Sequence, residues 1–352
     1  MSGGLSKPAT HLRLISQLAS RVGIKGLFVK KGYLGGTIAY CLVAGAEVVA
    51  YFPILYHTFM KSILVPTDFS PEAHHAYTVA LQLAQHTGGS VTLLYVLEAP
   101  EGTTANFSTY GGPVNGSELP NSTGGIDRLF TLKLMEATKH RMHVLKDEAA
   151  TLAADVPVQD TVEIGGIGEG ILAAIDKHHI DLVVMGVENR GGLDDYFLGS
   201  QTERLIRLAP CPVLAVKPPQ AEFNVRTIIF PSDFSAETSA ALAGLQSVLA
   251  AFPEATLHLV HVSATTDATQ EAQQQAIQAF ATQHGLAHYQ AAVVTADTIS
   301  EGIKQYAQQV QADLVVLPTH QHSGLSSFLH TSVATAVATH ALPPVLTYHF
   351  AS

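Results

Sequence analysis

Apolar residues follow two alternating rhythms along most of this chain. Short runs such as "SILV" at 62–65 and "DLVVM" at 181–185 are apolar at nearly every position and are bounded by Pro, Gly or Asp. Between them lie longer stretches, such as "AYTVALQLAQ" from Ala76, whose apolar positions recur every three or four residues. The first pattern predicts buried strands and the second amphipathic helices. "ILVPTDFS" (63–70) reads as a strand ending at Pro66, then a helix with Ser70 as N-cap and Pro71 at its first position, stopped by Gly88 and Gly89. "SVTLLYVLE" is a second strand, and a helix is expected over 127–153. "VQDTVEIG", "DLVVMG" and "PVLAVK" are the third, fourth and fifth strands, separated by the helices "GEGILAAIDKHH" and "GSQTERLIRL". Residues 99–125, rich in Gly, Ser, Asn, Thr and Pro, keep no period and read as a long loop, a mobile flap.

The order is then written again. "IIFPSDFS" at 228–235 repeats "ILVPTDFS" at a distance of 165. "ATLHLVHVS" matches "SVTLLYVLE" at the same distance, while "EGI" (169–171 and 301–303) and "DLVV" (181–184 and 313–316) repeat at 132. The 99–125 loop accounts for most of the difference. Strands alternating with amphipathic helices imply right-handed crossovers and parallel sheets. The expectation is an α/β chain of two doubly wound, five-stranded, Rossmann-like domains in tandem, over 60–218 and 225–352, packed side by side.

Residues 1–59 break the rhythm. A basic start leads into "GYLGGTIAYCLVAGAEVVAYFPILY" (32–56), apolar over a length that could cross a bilayer. Glu47, four glycines and Pro53 count against one helix. Three readings stay open: an upstream extension ahead of a domain that begins at Met60, a membrane or interfacial segment, or a packed addition.

Charge narrows the function classes. The net charge is −10 and no basic run occurs, which argues against a sequence-independent grip on nucleic acid. The two cysteines, Cys41 and Cys211, form no CxxC and fit a reducing, cytoplasmic compartment; Cys211, between two prolines, reads as a core residue. His74–His75, His178–His179 and the "HQH" at 320–322 read as solvated helix and loop residues, so no metal site is expected. No G-x4-G-K-S/T and no Ser–His–Asp spacing is present, and no catalytic residue is assigned.

Ligands of open parallel sheets bind beyond the carboxyl ends of the strands. Two loops lie there. "PTDFS" follows the first strand, and "GVENRGGLDDYFLGSQ" (186–201) follows the fourth. In the second loop Gly199, Ser200 and Gln201 open a helix, where free N–H groups and the dipole favour an anion. Asp68 suits ribose hydroxyls or an adenine amine as an acceptor, and it could equally close the strand-to-helix turn.

On these residues the chain resembles the universal stress protein family in its tandem form, over about residues 60–352. ATP-binding members of that family carry G-x2-G-x9-G-S/T after the fourth strand and an Asp after the first. Gly186, Gly199 and Ser200 fall on this pattern, with Asn189 in place of the middle glycine; Asn is the non-glycine residue that best tolerates a left-handed backbone. The resemblance implies an adenine nucleotide alpha hydrolase-like fold and ATP, with Mg2+, as ligand. It places Pro66, Thr67 and Asp68 along the nucleoside, with Val96 meeting adenine through its backbone and Met185 nearby. It implies a stress-response regulator in which either a homodimer or an intramolecular pseudo-dimer forms. A slow ATPase or nucleotidyl-transferring enzyme, drawing on Glu188, Asp194 or Asp195, and a non-binding interaction module are the alternatives. In the second half Pro318, Gln321 and Thr331 take the places of Gly186, Asn189 and Gly199, so that domain is expected to keep the fold and to have lost the phosphate site.

Overall fold

The computed structural model describes the backbone of residues 27–34, 37–44 and 47–52, and residues 60–98, 123–189, 196–218, 222–235, 237–263, 269–286, 288–320, 331–341 and 343–350. The 99–125 loop lies outside these apart from its last three residues. The chain divides into two units, 1–57 and 58–352.

The first unit is a three-stranded antiparallel sheet of β1 (Leu27–Leu34), β2 (Thr37–Ala44) and β3 (Glu47–Phe52), in that order. Leu34 faces Thr37 and Ala44 faces Glu47, so two residues separate each pair of strands, Gly35–Gly36 and Gly45–Ala46. Of the three readings left open for this segment, a single helix across 32–56 is not what the backbone forms. A two-residue connection that begins with glycine is hairpin chemistry, and "TIAYCLV" and "EVVAYF" are rich in β-branched and aromatic residues. Among the described residues no helix is long and apolar enough to cross a membrane.

In the second unit β4 (Ser62–Pro66), α1 (Pro71–Thr87), β5 (Ser90–Leu97), α2 (Thr123–Leu152), β6 (Val158–Ile164), α3 (Ile167–Lys177) and β7 (Leu182–Gly186) follow in turn. A short hairpin, β8 (Glu188–Asn189) with β9 (Tyr196–Phe197), leads to α4 (Ser200–Leu208) and β10 (Val213–Val216). The second half has β11 (Thr227–Pro231), a 3-10 turn (Glu237–Ala241), α5 (Leu242–Ala251), β12 (Thr256–Ser263), α6 (Thr269–Gln283) and β13 (Tyr289–Thr295). It ends with α7 (Ile299–Gln309), β14 (Leu314–His320), α8 (Thr331–His340) and β15 (Val345–Phe350).

The expected caps are present at α1. Ser70 Oγ accepts from the Ala73 N–H at 3.2 Å, Pro71 opens the helix, and Gly88 closes it at φ 66°. Each half has the strand order of a doubly wound sheet, and the halves do more than lie side by side. Ten strands form one sheet in the order β13-β12-β11-β14-β15-β10-β7-β4-β5-β6. Every pairing in it is parallel except the central one, where β10 runs antiparallel to β15 with Leu214 opposite Leu346. Both faces are covered, which is why the strands are continuously apolar. Ile63, Val65 and Phe230 pack on one face, and Leu64, Val183 and Val345 on the other, all of them buried.

Pairing also corrects the alignment of the second strands. Ser62 faces Ser90, while Thr227 faces Thr256, so the spatial offset there is 166 and Val96 corresponds to Val262. An uninterrupted apolar run can slide by one in a string, but in space a one-residue slip reverses every side chain.

Two devices join strands within each half. Asp181 accepts hydrogen bonds from the N–H groups of Lys61 and Ser62, both at 3.1 Å. Asp313 repeats this toward Arg226 and Thr227, both at 2.9 Å. Gly186, at the end of β7, lies so close under α1 that a Cβ there would run into the Glu72 carbonyl. Its counterpart in the second half is Pro318, and there the corresponding helix starts with the 3-10 turn instead of a regular first turn.

Two outcomes follow. Gly186→Ala should cost about 1–3 kcal/mol in urea unfolding of the chain, as an overpacked contact does; full retention of stability would contradict the close approach. Burial raises the Asp181 pKa to about 6, against the three strand-start N–H groups that lower it. The folded state therefore holds this proton more tightly than the unfolded chain does, and this group stabilises the fold as pH drops from about 7 toward 4. Unfolding at pH 7.5 and 4.5 should show a smaller acid-side gain in Asp181→Asn than in the parent; equal gains would contradict the assignment.

Candidate functional site

The site begins with a strained turn. Phe69 has φ 65°, a left-handed conformation costly for a bulky residue. Three side chains hold it in sequence. Thr67 Oγ1 accepts from the Phe69 N–H at 2.9 Å, Asp68 Oδ1 accepts from the Ser70 N–H at 2.9 Å, and Ser70 Oγ caps α1. The Phe69 ring stacks on Tyr95 with centroids 5.3 Å apart, and the Arg141 guanidinium lies 4.0 Å from its centroid. Each residue of "TDFS" thus has a structural task. Asp68 is exposed and a carboxylate accepts up to about four hydrogen bonds, so the turn leaves it acceptor capacity toward solvent.

Beside this turn opens a cleft of about 700 Å3 beyond the carboxyl ends of β4, β5 and β7. Of the residues expected at a site, Pro66, Thr67, Asp68, Val96, Met185, Gly186, Gly199, Ser200 and Gln201 all line it. Asn189 stands in β8, its backbone paired with Tyr196, and its side chain lies outside the described residues, as do Asp194 and Asp195. Sequence reasoning missed Tyr95, Leu134, Ile167 and Ile171, which supply aromatic and apolar wall. It also missed Glu72 and Glu98; with Asp68 and Glu188 they put four carboxylates on the lining, and no Lys or Arg is among the described lining residues.

Opposite Asp68 is the start of α4. Gly199 is the N-cap, with no side chain accepting from the helix's first N–H groups. A Cβ on Gly199 would meet nothing within 4 Å, in contrast to Gly186. The two glycines therefore differ in kind: Gly186 permits packing against α1, while Gly199 leaves helix-start backbone facing open space. Gln201 adds a buried Oε1 with no hydrogen-bond partner. A concave, partly apolar cleft with an anion-favouring helix start at one side and a carboxylate at the other suits an amphipathic, anionic small molecule with hydroxyl or amine donors.

The second half repeats the turn with a further partner for its Asp. Phe234 is left-handed at φ 54°, its N–H donates to Ser232 Oγ at 3.0 Å, and the Ser235 N–H donates to Asp233 Oδ1 at 3.1 Å. Thr238 stands where the first half has Ala73, and its hydroxyl bonds the same Asp233 oxygen at 3.0 Å. Asp233 is half-buried where Asp68 is exposed. Residues 321–330, with Gln321, lie outside the described residues. Elsewhere, His74 pairs with Glu148 at 2.9 Å, and Cys211 is buried with its thiol pKa pushed up to about 12, first by desolvation. Among the described residues no three His, Cys, Asp or Glu side chains are grouped to hold a metal.

Known proteins match this architecture. The profile of the universal stress protein family fits residues 60–217 and again 224–349. A universal stress protein of Synechocystis sp. is 26% identical over 304 residues, 82% of this chain and 100% of its own. A universal stress protein of Methanocaldococcus jannaschii is 29% identical over 157 residues, 45% of this chain and 94% of its own. Among solved structures, a universal stress protein from Archaeoglobus fulgidus superposes with a TM-score of 0.59 at 18% identity, over 82% of this chain and 98% of its own; this is a likeness of fold. With the profile matched by both halves and the doubly wound order present in each, the chain belongs to the universal stress protein family, as a tandem member.

Proposed function

We propose that the first domain, residues 60–218, binds ATP in the cleft between the Asp68 turn and the start of α4. Occupancy would change the protein's shape or partners in a cytoplasmic stress response, without substrate turnover. The observation that carries this reading is the pairing of Gly199, open to approach, with Asp68, exposed across one cleft. The triphosphate would lie against the N–H groups of Ser200 and Gln201, where glycine leaves room. The nucleoside would lie along Pro66, Thr67, Asp68 and the backbone of Val96, with Met185 beside it.

Charge refines the reading. The four carboxylates on the described lining repel a triphosphate, and a helix dipole worth about half a charge offsets only a small part of its charge. With no Lys or Arg among the described lining residues, the reading favours a nucleotide that brings its own counter-charge, with Mg2+ entering alongside ATP. The second domain, residues 225–352, serves as a structural partner: its Asp233 is already engaged by Thr238, and Thr331 replaces the open glycine. Pairing of β10 with β15 within one chain supports an intramolecular pseudo-dimer in place of a homodimer joined through those strands.

Calorimetric titration of the full chain with ATP tests the site. Gly199→Val should weaken binding at least about tenfold, or about 1.4 kcal/mol, with the fold kept because no atom stands in the way of the new side chain. Chelation of Mg2+ should weaken the parent by a similar factor. Binding that is indifferent to Gly199→Val would put the phosphates elsewhere, and binding that is indifferent to chelation would remove the charge argument.

A further inference from the structure

The fifth strands do more than pair. Lys217, just past β10, is buried, with a relative exposure of 3%. Its Nζ donates to the Thr339 carbonyl at 3.0 Å and to the Ala341 carbonyl. These are the last carbonyls of α8, a helix of the other domain, and a cation suits that end of a helix. By strand register the counterpart of Lys217 is His349, in β15. Burial lowers the His349 pKa, and the backbone of Thr319, Ile206 and Arg207, the last two in the final turn of α4, opposes that shift. Arg207 and Thr339 are themselves counterparts at the same offset of 132. The second domain's last helix thus ends on a lysine of the first domain, while the counterpart of that lysine is a histidine whose pKa burial lowers.

The two positions are unequal. Lys217 is a cation, and its Nζ also sits 4.9 Å from the centre of the Tyr196 ring. The Tyr196 hydroxyl donates to the Pro218 carbonyl at 3.3 Å. Tyr196 belongs to β9, three residues before Gly199, and β9 packs on α8 as well. His349 is held through Nδ1 at 2.8 Å from the Thr319 hydroxyl, while its buried Nε2 makes no hydrogen bond of ordinary geometry. The firm connection therefore runs from α8 through Lys217 to the loop that delivers the start of α4.

We infer that Lys217 is a positioning residue through which the second domain sets the phosphate-side loop of the first, so that ligand binding in the cleft and docking of α8 are thermodynamically linked. This rests on the proposed nucleotide site for its ligand, and on geometry alone for the loop. Linkage is reciprocal: what fixes β9 and α4 for a ligand also fixes α8 on the first domain. The second copy of the fold, whose Thr331 stands where the first has Gly199, then has a task at the first copy's site.

Lys217→Met tests this in the full chain. Methionine keeps much of the length, removes the charge and takes the Nζ donor away from the Thr339 and Ala341 carbonyls, so some loss of stability accompanies it. Two readouts separate the inference from the site it rests on. The first needs no ligand: amide hydrogen exchange across 196–204 should speed up by about tenfold or more in Lys217→Met, with β4 and β7 unchanged. The second is ATP affinity, which should drop by about tenfold in Lys217→Met and recover in Lys217→Arg. Unchanged exchange across 196–204 would overturn the inference, as would ATP binding equal to the parent's. Should the parent bind no ATP, the proposed function fails and the exchange comparison still decides the role of Lys217. Should Lys217→Met not fold, Tyr196→Leu, which removes the ring under Nζ and the Pro218 bond, is expected to give the same loosening, and its absence would overturn the inference.

Discussion

Antiparallel pairing of β10 with β15 is the contact on which the rest of this protein depends. It converts two five-stranded sheets into one and lets a hydrophobic layer run unbroken across each face. A fifth strand left unpaired would be an exposed edge, and edges invite association with other chains. Here the edge is satisfied from within. The pseudo-twofold relation it imposes brings α4 and α8 together, and so places the end of one domain's helix within reach of the other domain's basic residue.

The repeated "P-T/S-D-F-S" is explained by the same economy of form. A strand buried on both faces must turn into a helix on one of them, and in both halves the chain does so through a left-handed Phe. Hydroxyl, carboxylate and ring hold that turn, and none of these tasks needs a ligand. Retention of the motif therefore says that the fold is retained. What distinguishes the halves lies around it: Ala73 or Thr238 beside the Asp, and Gly186 or Pro318 at the end of the fourth strand. An exposed Asp bonded to one backbone N–H becomes a half-buried Asp that also takes the Thr238 hydroxyl, while the architecture does not change.

Much of this was legible in the sequence because it is local. Ser70, Pro71 and Gly88 specify α1 from either end through their own backbone preferences. The strand and helix order follows from period alone, and the lining residues Asp68, Gly199 and Ser200 follow from their place after strands. The failures are of another kind. The one-residue slip at the second strands arose because an apolar run matches itself at neighbouring offsets. For residues 32–56 three readings stay open in the sequence, because apolar length alone does not separate a spanning segment from short paired strands. Gly186 carried a family pattern that could not show its contact with the Glu72 carbonyl. Lys217 gave no signal at all, since its partners lie more than 120 residues away and a lysine after a strand is ordinarily solvated.

One ligand site per chain, in the first half, is the central claim. Native mass spectrometry of the intact protein with saturating Mg-ATP counts bound nucleotide directly. The account predicts a single mass increment per chain, absent in Gly199→Val. A second increment of comparable affinity, or a first one that survives Gly199→Val, would contradict it.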